Sequence, residues 1–234
     1  MNRLYLIPTT LGDTPAEEVL PASTLEALRG LCVFVVEELR SARRFLSAAG
    51  FRGHVDELEL HTLNEHSTPA EVEALGELFE RSDVGLITEA GLPAVADPGA
   101  DLVALCHRNG VPVVPLVGPS SLMLALMASG LNGQSFAFRG YLPAKTEERR
   151  AAIRRAEKDS SALRQTQIFI ETPYRNDALL ADFLCGLSQE SRLCIAADLT
   201  LPTQTIITLP VSEWHKKKDF KIGKRPCVFL LLAR

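Results

Sequence analysis

Apolar and polar positions alternate along the chain in a regular beat of short buried runs and longer amphipathic segments. Leu4 to Ile7, Leu31 to Val36, Val55 to Leu60, Val84 to Ile87 and Val111 to Leu116 each read as a strand. The uninterrupted β-branched runs suit strands covered on both faces. Between them lie helical stretches. One starts after Pro15 with Glu17 and Glu18, one opens on Arg40, Arg43 and Arg44 and stops near Gly50, one is capped by Ser67 or Thr68, and one runs from about Ala100 to Asn109. Five strands alternating with helices predict a parallel sheet.

The pattern changes past Val117. Leu122 to Ser129 is an apolar helix closed by Gly130, Phe136 to Pro143 is short and aromatic, and Lys145 to Leu163 is a charged helix crowded with Arg149, Arg150, Arg154 and Arg155. Gln167 to Ile170, Leu193 to Ala197, Gln204 to Leu209 and Cys227 to Leu232 follow as strands. The last two are expected to pair antiparallel across the polar 213–225 segment. The expectation is an α/β chain with a parallel-sheet domain over residues 1–117 and a mixed-sheet domain over 118–234, with a ligand cleft between the halves.

The chemistry concentrates at strand ends. Val84 to Ile87 leads into Thr88-Glu89-Ala90-Gly91-Leu92-Pro93 and on to Asp97-Pro98-Gly99. In an open α/β sheet, ligands bind at the carboxyl ends of the strands. Gly91 admits a close backbone approach, and Glu89 can accept from hydroxyl or ammonium groups. The same residues also make ordinary surface turns. At Gly118-Pro119-Ser120-Ser121 a helix start offers free N–H groups to a ligand, or is simply N-capped by its serines.

Composition narrows the choice. With 234 residues, 46% hydrophobic and 23% charged, the chain reads as a globular protein without a disordered tail. A net charge of -4 argues against coating nucleic acid through general electrostatics, while leaving room for a local basic patch such as Lys216-Lys217-Lys218, Lys221, Lys224 and Arg225. The arginine run at 149–155 is a solvated face or an RNA contact. Five cysteines without CxxC spacing suggest no metal and no disulfide framework, hence a reducing cytoplasm. No apolar stretch approaches bilayer-spanning length, so neither secretion nor membrane embedding is expected.

These landmarks together resemble the tetrapyrrole methylase superfamily of S-adenosylmethionine-dependent methyltransferases. The similarity is strongest to the branch that 2'-O-methylates a cytidine of small-subunit ribosomal RNA. It rests on Pro8-Thr9-Thr10-Leu11-Gly12-Asp13, Glu37-Glu38-Leu39-Arg40, Asn64-Glu65, the 88–93 and 97–99 stretches and Gly118-Pro119-Ser120-Ser121. Further matches are Ser129-Gly130-Leu131, Phe138 to Pro143, and Glu171-Thr172-Pro173-Tyr174-Arg175. The resemblance implies a two-domain tetrapyrrole-methylase-like fold that holds S-adenosyl-L-methionine between its domains.

The contacts it implies are Pro8, Thr88, Glu89, Ala90, Gly91, Pro93, Ser120, Ser121 and Ala197. It also implies a ribosomal RNA or small-subunit partner, a homodimer, and a short form without the C-terminal segment of longer members. A ribose hydroxyl attacking a sulfonium methyl gains from a nearby acceptor, for which Glu37, Glu65 and Glu171 are candidates. Arg40, Asn64 and Arg175 are candidates for holding the substrate strand. The alternative for Glu37 with Arg40, and for Glu171 with Arg175, is a salt bridge within its own domain.

The chain departs from the ribosomal branch at Glu89, where Asp is usual, at Asp13, where Asn is usual, and at Leu201, where Lys is usual. The other readings are methylation of a tetrapyrrole ring carbon, disfavoured by 6% aromatic content, and a non-catalytic cofactor- or RNA-binding relative.

Overall fold

The computed structural model describes residues 2–234. The chain divides into two compact units, one running to Ser120 and the other covering Ser121–Arg234.

The first unit contains β1 (Leu4–Ile7), α1 (Ala16–Val19), α2 (Ala22–Arg29), β2 (Val33–Val36), α3 (Leu39–Leu46), β3 (Glu59–Thr62), α4 (Pro69–Ala74), β4 (Val84–Ile87), α5 (Ala100–Arg108) and β5 (Val113–Pro115). Its strands lie in the order β3-β2-β4-β1-β5, all parallel.

Side chains alternate across this sheet as a period of two requires. Leu4, Val33, Val35, Val84 and Leu86 pack with Val72, Leu102 and Leu105 from α4 and α5. Ile7, Phe34, Val36 and Ile87 pack on the other face with Leu25, Leu28 and Leu46 from α2 and α3. Full burial of one such side chain as Phe34 contributes roughly 2 to 3 kcal/mol. Gly85 makes that packing possible, since a Cβ there would lie 2.6 Å from Ile7 Cδ1 and 2.7 Å from Phe34 Cδ1.

Two elements differ from the sequence expectation. Val55 begins a 3₁₀ turn, Val55–Glu57, and the third strand starts only at Glu59. This strand has a single neighbour, and its carboxylate Glu59 pairs with Arg81 and His61, so polar residues stand where a central strand would be apolar. The expected helix after Thr68 is α4, which tightens into a 3₁₀ segment at Leu75–Glu80. Its start is a capping box: the Thr68 hydroxyl accepts from the Glu71 amide, and the Glu71 carboxylate accepts from the Thr68 amide.

The second unit contains α6 (Ser121–Ser129), β6 (Phe136–Tyr141), α7 (Thr146–Leu163), β7 (Thr166–Ile170), α8 (Asn176–Gly186), β8 (Arg192–Ala197), β9 (Thr205–Pro210), α9 (Val211–Trp214) and β10 (Cys227–Leu232). The strand order is β6-β7-β10-β8-β9, with β6 and β7 parallel and the other pairs antiparallel.

The expected pairing of the last two strands is therefore not formed. Instead β8 and β9 make the hairpin, and β10 inserts between β7 and β8. The cause is hydrophobicity: Val228 to Leu231 are fully or almost fully buried and need cover on both sides, whereas β9 is half-exposed throughout and tolerates an edge. Phe169, Phe183 and Phe229 stack through this core at centroid separations of 5.6 and 5.7 Å.

Candidate functional site

Strand register builds the site of the first unit. Ile87 of β4 lies opposite Ile7 of β1 on one side and Val36 of β2 on the other. The next residues, Pro8, Thr88 and Glu37, therefore leave the sheet side by side at its carboxyl edge. The chain leaves β1 and β2 toward the face covered by α2 and α3, and leaves β4 toward the face covered by α5. Loops that part to opposite faces leave a crevice between neighbouring strands, the arrangement in which α/β sheets bind ligands.

Three polar atoms at this edge are buried without a well-formed hydrogen bond: Thr9 Oγ1, Glu37 Oε2 and Thr88 Oγ1, the last lying near the Glu37 and Asp97 carboxyls in loose geometry. Each such group costs about 1 to 3 kcal/mol when left unsatisfied, so three at one place make this edge a candidate ligand site. The loop carries strain as well. Ala94 and Ala96 hold φ of 61° and 63°, a left-handed conformation unusual for alanine.

Carboxylates converge on the same edge. Burial, and then the nearby carboxylates of Asp97 and Glu89, raise the Glu37 carboxyl above its ordinary range. The Glu89 amide and Thr88 hydroxyl offset this only in part. Asp97 is raised by burial first, with Glu89 adding to it and the Thr88 hydroxyl working against it. The Ser41 hydroxyl donates to Glu89 Oε1 at 3.0 Å and steadies it. A cation or a set of hydroxyl donors would relieve this concentration of negative charge. Among the described residues no three His, Cys, Asp or Glu side chains are disposed to hold a metal ion.

The loops close around the edge. The Thr9 amide donates to Gly91 O at 2.9 Å, which ties the loop after β1 to the loop after β4. Gly91 has φ +83°, and a Cβ there would approach Leu11 Cδ2 at 3.2 Å. Bulk at this position strains the backbone wherever a ligand sits, so Gly91→Val is not a clean probe of binding. A pocket of about 480 Å³ opens beside these loops, lined by Thr9 to Thr14, by Ser41, Arg44 and Phe45 of α3, and by Glu89.

The predicted residues of the first unit thus divide. Pro8, Thr88, Gly91 and Pro93 are buried at the sheet edge with Glu37 half-buried among them, while Glu89 and Ala90 are exposed on its rim. Ser120 is the last residue of the unit, next to Pro119, whose carbonyl lies near Gly91. Glu65 stays outside this group, solvated and 3.6 Å from His66, and the Asn64 side chain is used to accept from the His66 amide. Arg40 is exposed and forms no pair with Glu37. The capping of α3 falls to Glu38, which accepts from the Arg40 and Ser41 amides.

In the second unit Ser121 opens α6, and Ala197 and Glu171 follow or end strands at one edge of the sheet, because β7 and β8 flank β10 in the same direction. Here the buried carboxylates face guanidinium groups, although Glu171 Oε2 and Asn176 Oδ1 make no hydrogen bond. Glu171 is buried, its Oε1 accepts from the Thr172 amide and hydroxyl, and Arg175 lies 3.1 Å from Oε2. This is a salt bridge within one unit. Arg149 and Arg150 turn out to hold Asp182, with Nε to carboxylate distances of 2.7 Å, and Arg149 is itself buried. The basic run on α7 is thus neither wholly solvated nor wholly open to RNA.

Sequence reasoning left two residues out of the site, Thr9 and Asp97. Both stood in motifs already marked. The signal for Thr9 was its place one residue past the Pro8 that ends β1.

Among relatives, the chain is 35% identical over 219 residues to ribosomal RNA small subunit methyltransferase I of Vibrio cholerae, covering 92% of this chain and 72% of that one. It is 31% identical over 222 residues to the Escherichia coli O157:H7 protein of the same name, covering 93% and 73%. No family model matches. Among solved structures, the methyltransferase CobJ superposes with a TM-score of 0.64 at 15% identity, covering 100% of this chain and 95% of that one. Uroporphyrin-III C-methyl transferase from Thermus thermophilus, complexed with S-adenyl homocysteine, gives 0.60 at 18%, covering 99% and 97%. At these identities the structural likeness speaks for the fold, which is that of the tetrapyrrole methylases, and the sequence relatives speak for the family. The chain belongs to the ribosomal RNA small subunit methyltransferase I family.

Proposed function

We propose that this protein is an S-adenosylmethionine-dependent methyltransferase acting on small-subunit ribosomal RNA, with a ribose 2'-hydroxyl as the accepting atom. The observation that carries the reading is the row of orphaned polar atoms, Thr9 Oγ1, Thr88 Oγ1 and Glu37 Oε2, at the joined tips of β1, β4 and β2. The cofactor brings an ammonium, a sulfonium and ribose hydroxyls, and these are the partners that unpaired hydroxyls and crowded carboxylates lack. Thr9, Thr88, Glu37, Glu89 and Asp97 would hold it, with Pro8, Ala90, Gly91, Pro93 and Ser120 as the backbone wall. The contacts expected at Ser121 and Ala197 belong to the same proposal.

When bound, the cofactor supplies an electrophilic methyl group. The chain's own share is positioning, which in such displacements can contribute roughly 7 to 11 kcal/mol of barrier lowering. Of the three acceptor candidates, Glu37 is best suited to take a hydroxyl proton. It has an unpaired oxygen and a carboxyl raised by burial and by Asp97 and Glu89. Glu171 already faces a counter-charge, the Arg175 cation at 3.1 Å, and Glu65 is solvated. On this reading Glu171 organises its loop, and Arg40 on the exposed start of α3 meets the RNA backbone.

A homodimer is part of the proposal. It is supported by β6, an edge strand that leaves Phe136, Phe138 and Tyr141 exposed. A cytoplasmic location is proposed with it; no helix among the described residues is long and apolar enough to cross a membrane. Mass spectrometry of small-subunit ribosomal RNA nucleosides from cells with and without the protein tests the reading. One 2'-O-methylated nucleotide should disappear in its absence, and unchanged nucleosides would overturn the substrate.

A further inference from the structure

A second concave surface lies wholly within the second unit. Between α8 and the segment after α9 is a groove of about 500 Å³, with Leu180, Leu184 and Phe220 along its floor and Lys217, Lys218 and Lys221 on its rim. The segment is held rigidly. Asp177 Oδ1 accepts from the Ile222 and Gly223 amides at 2.7 and 3.3 Å, and Asn176 Nδ2 donates to Gly223 O and Arg225 O. Beneath it Ile222 is buried, and Phe220 packs on Trp214 at a centroid distance of 5.1 Å.

Most lysines on this frame form no ion pair. Lys216 pairs with Glu213, and Arg225 is taken up by Asp198, Thr205 and Ile222 O. Among the described residues Lys217, Lys218, Lys221 and the neighbouring Lys224 form no ion pair, and all four are exposed. The one acid inside the groove, Asp177, is engaged by two amides. Fixed, unneutralised cations around an apolar floor call for a polyanion that also offers flat apolar groups.

We infer that this groove docks a single-stranded segment of RNA, with its phosphates on Lys217, Lys218 and Lys221 and a base against Phe220 and Leu184. Charge complementarity and shape both select RNA over an anionic bilayer, because a flat headgroup surface meets the lysines but cannot reach a concave floor. The inference rests on the reading of RNA as the substrate and extends it to a site on residues that take no part in methyl transfer.

The test measures binding of a labelled single-stranded fragment of small-subunit ribosomal RNA by the full chain across a range of salt. The proteins compared are wild type, K217Q/K218Q/K221Q, F220L and, as a control, K158Q on α7. The triple variant is expected to bind about tenfold more weakly, with the slope of log affinity against log salt shallower by about 2. F220L should weaken binding at every salt concentration with no change in slope, and K158Q should match wild type. Affinity for S-adenosylmethionine should be the same in all four. A triple variant with unchanged RNA affinity and slope overturns the groove, as does binding of phosphatidylglycerol vesicles in place of RNA. If wild-type protein binds RNA through these lysines yet transfers no methyl group to it, the groove stands and the catalytic reading falls.

Discussion

Both units bury charged groups, and they differ in whether a counter-charge meets them. In the second unit Asp182 is nearly inaccessible and receives both Arg149 and Arg150. Burial alone would raise its carboxyl, but the two guanidinium hydrogen bonds hold it below the ordinary range. Glu171 is equally enclosed; its Oε1 accepts from Thr172, and its Oε2 makes no hydrogen bond but faces the Arg175 guanidinium, a counter-charge, at 3.1 Å. In the first unit Glu37 Oε2, Thr9 Oγ1 and Thr88 Oγ1 lack a well-formed hydrogen bond, no cation among the described residues pairs with Glu37, and the Glu37 and Asp97 carboxyls are pushed up despite the nearby Thr88 hydroxyl. Buried polar groups stabilise a fold only when they are paired. The second unit's ion pairs therefore hold the fold together, while the groups of the first unit have hydrogen-bonding capacity to spare, which on the proposed function the cofactor takes up.

The largest effect should come from breaking the satisfied side. Asp182→Ala leaves Arg149 buried without a counter-charge and should cost about 3 to 5 kcal/mol of stability in denaturant unfolding. An exchange that lowers the melting temperature no more than a surface substitution does would show that the network contributes nothing.

On the unsatisfied side, Thr88→Val removes a hydroxyl that forms no well-aligned hydrogen bond in the protein and acts only weakly on the Glu37 and Asp97 carboxyls. Stability should stay within about 0.5 kcal/mol of wild type or rise, whereas affinity for S-adenosylmethionine should fall about tenfold, the loss of one hydrogen bond of roughly 1.4 kcal/mol.

A pH series sharpens the contrast. A carboxyl raised in the folded state binds more protons than in the unfolded chain, so stability falls as pH rises from the ordinary carboxylate value to the raised one, and then levels off. Wild-type melting temperature should show that fall, and Glu37→Gln should make it shallower, leaving the part that belongs to Asp97. An identical pH profile in the variant would place the raised group elsewhere. The smallest effect belongs to Glu65→Gln, a solvated position. Its melting temperature and its affinity for S-adenosylmethionine should both match wild type, and a tenfold loss of affinity would bring the loop after β3 back into the binding site.

The first unit was legible because its strands carry their own signature. Val33 to Val36 and Val84 to Ile87 are covered on both faces, and such runs need no partner to be recognised. The second sheet was less so. The pairing of β10 depends on which neighbours bury it best, and that competition is settled far along the chain from either strand.

The same distinction applies to the site. Glu37, Thr88 and Glu89 could be picked as candidates because strand ends collect ligand groups, but that Glu171 meets a guanidinium and Glu37 does not depends on neighbours in three dimensions. Arg149 is the clearest case. In a run of arginines it reads as surface, and only α8, thirty-three residues on, supplies the buried aspartate that draws it inward. Gly91 gives the converse lesson, since its positive φ makes it a backbone requirement before any ligand is considered.

The central claim, that the tips of β1, β4 and β2 keep unpaired groups for the cofactor, is tested most directly by titration calorimetry of S-adenosylmethionine into wild type, Thr88→Val and Glu37→Gln, each checked for an unreduced melting temperature. Both variants should bind about tenfold more weakly while folded at least as stably as wild type. Unchanged affinity in both would contradict the account.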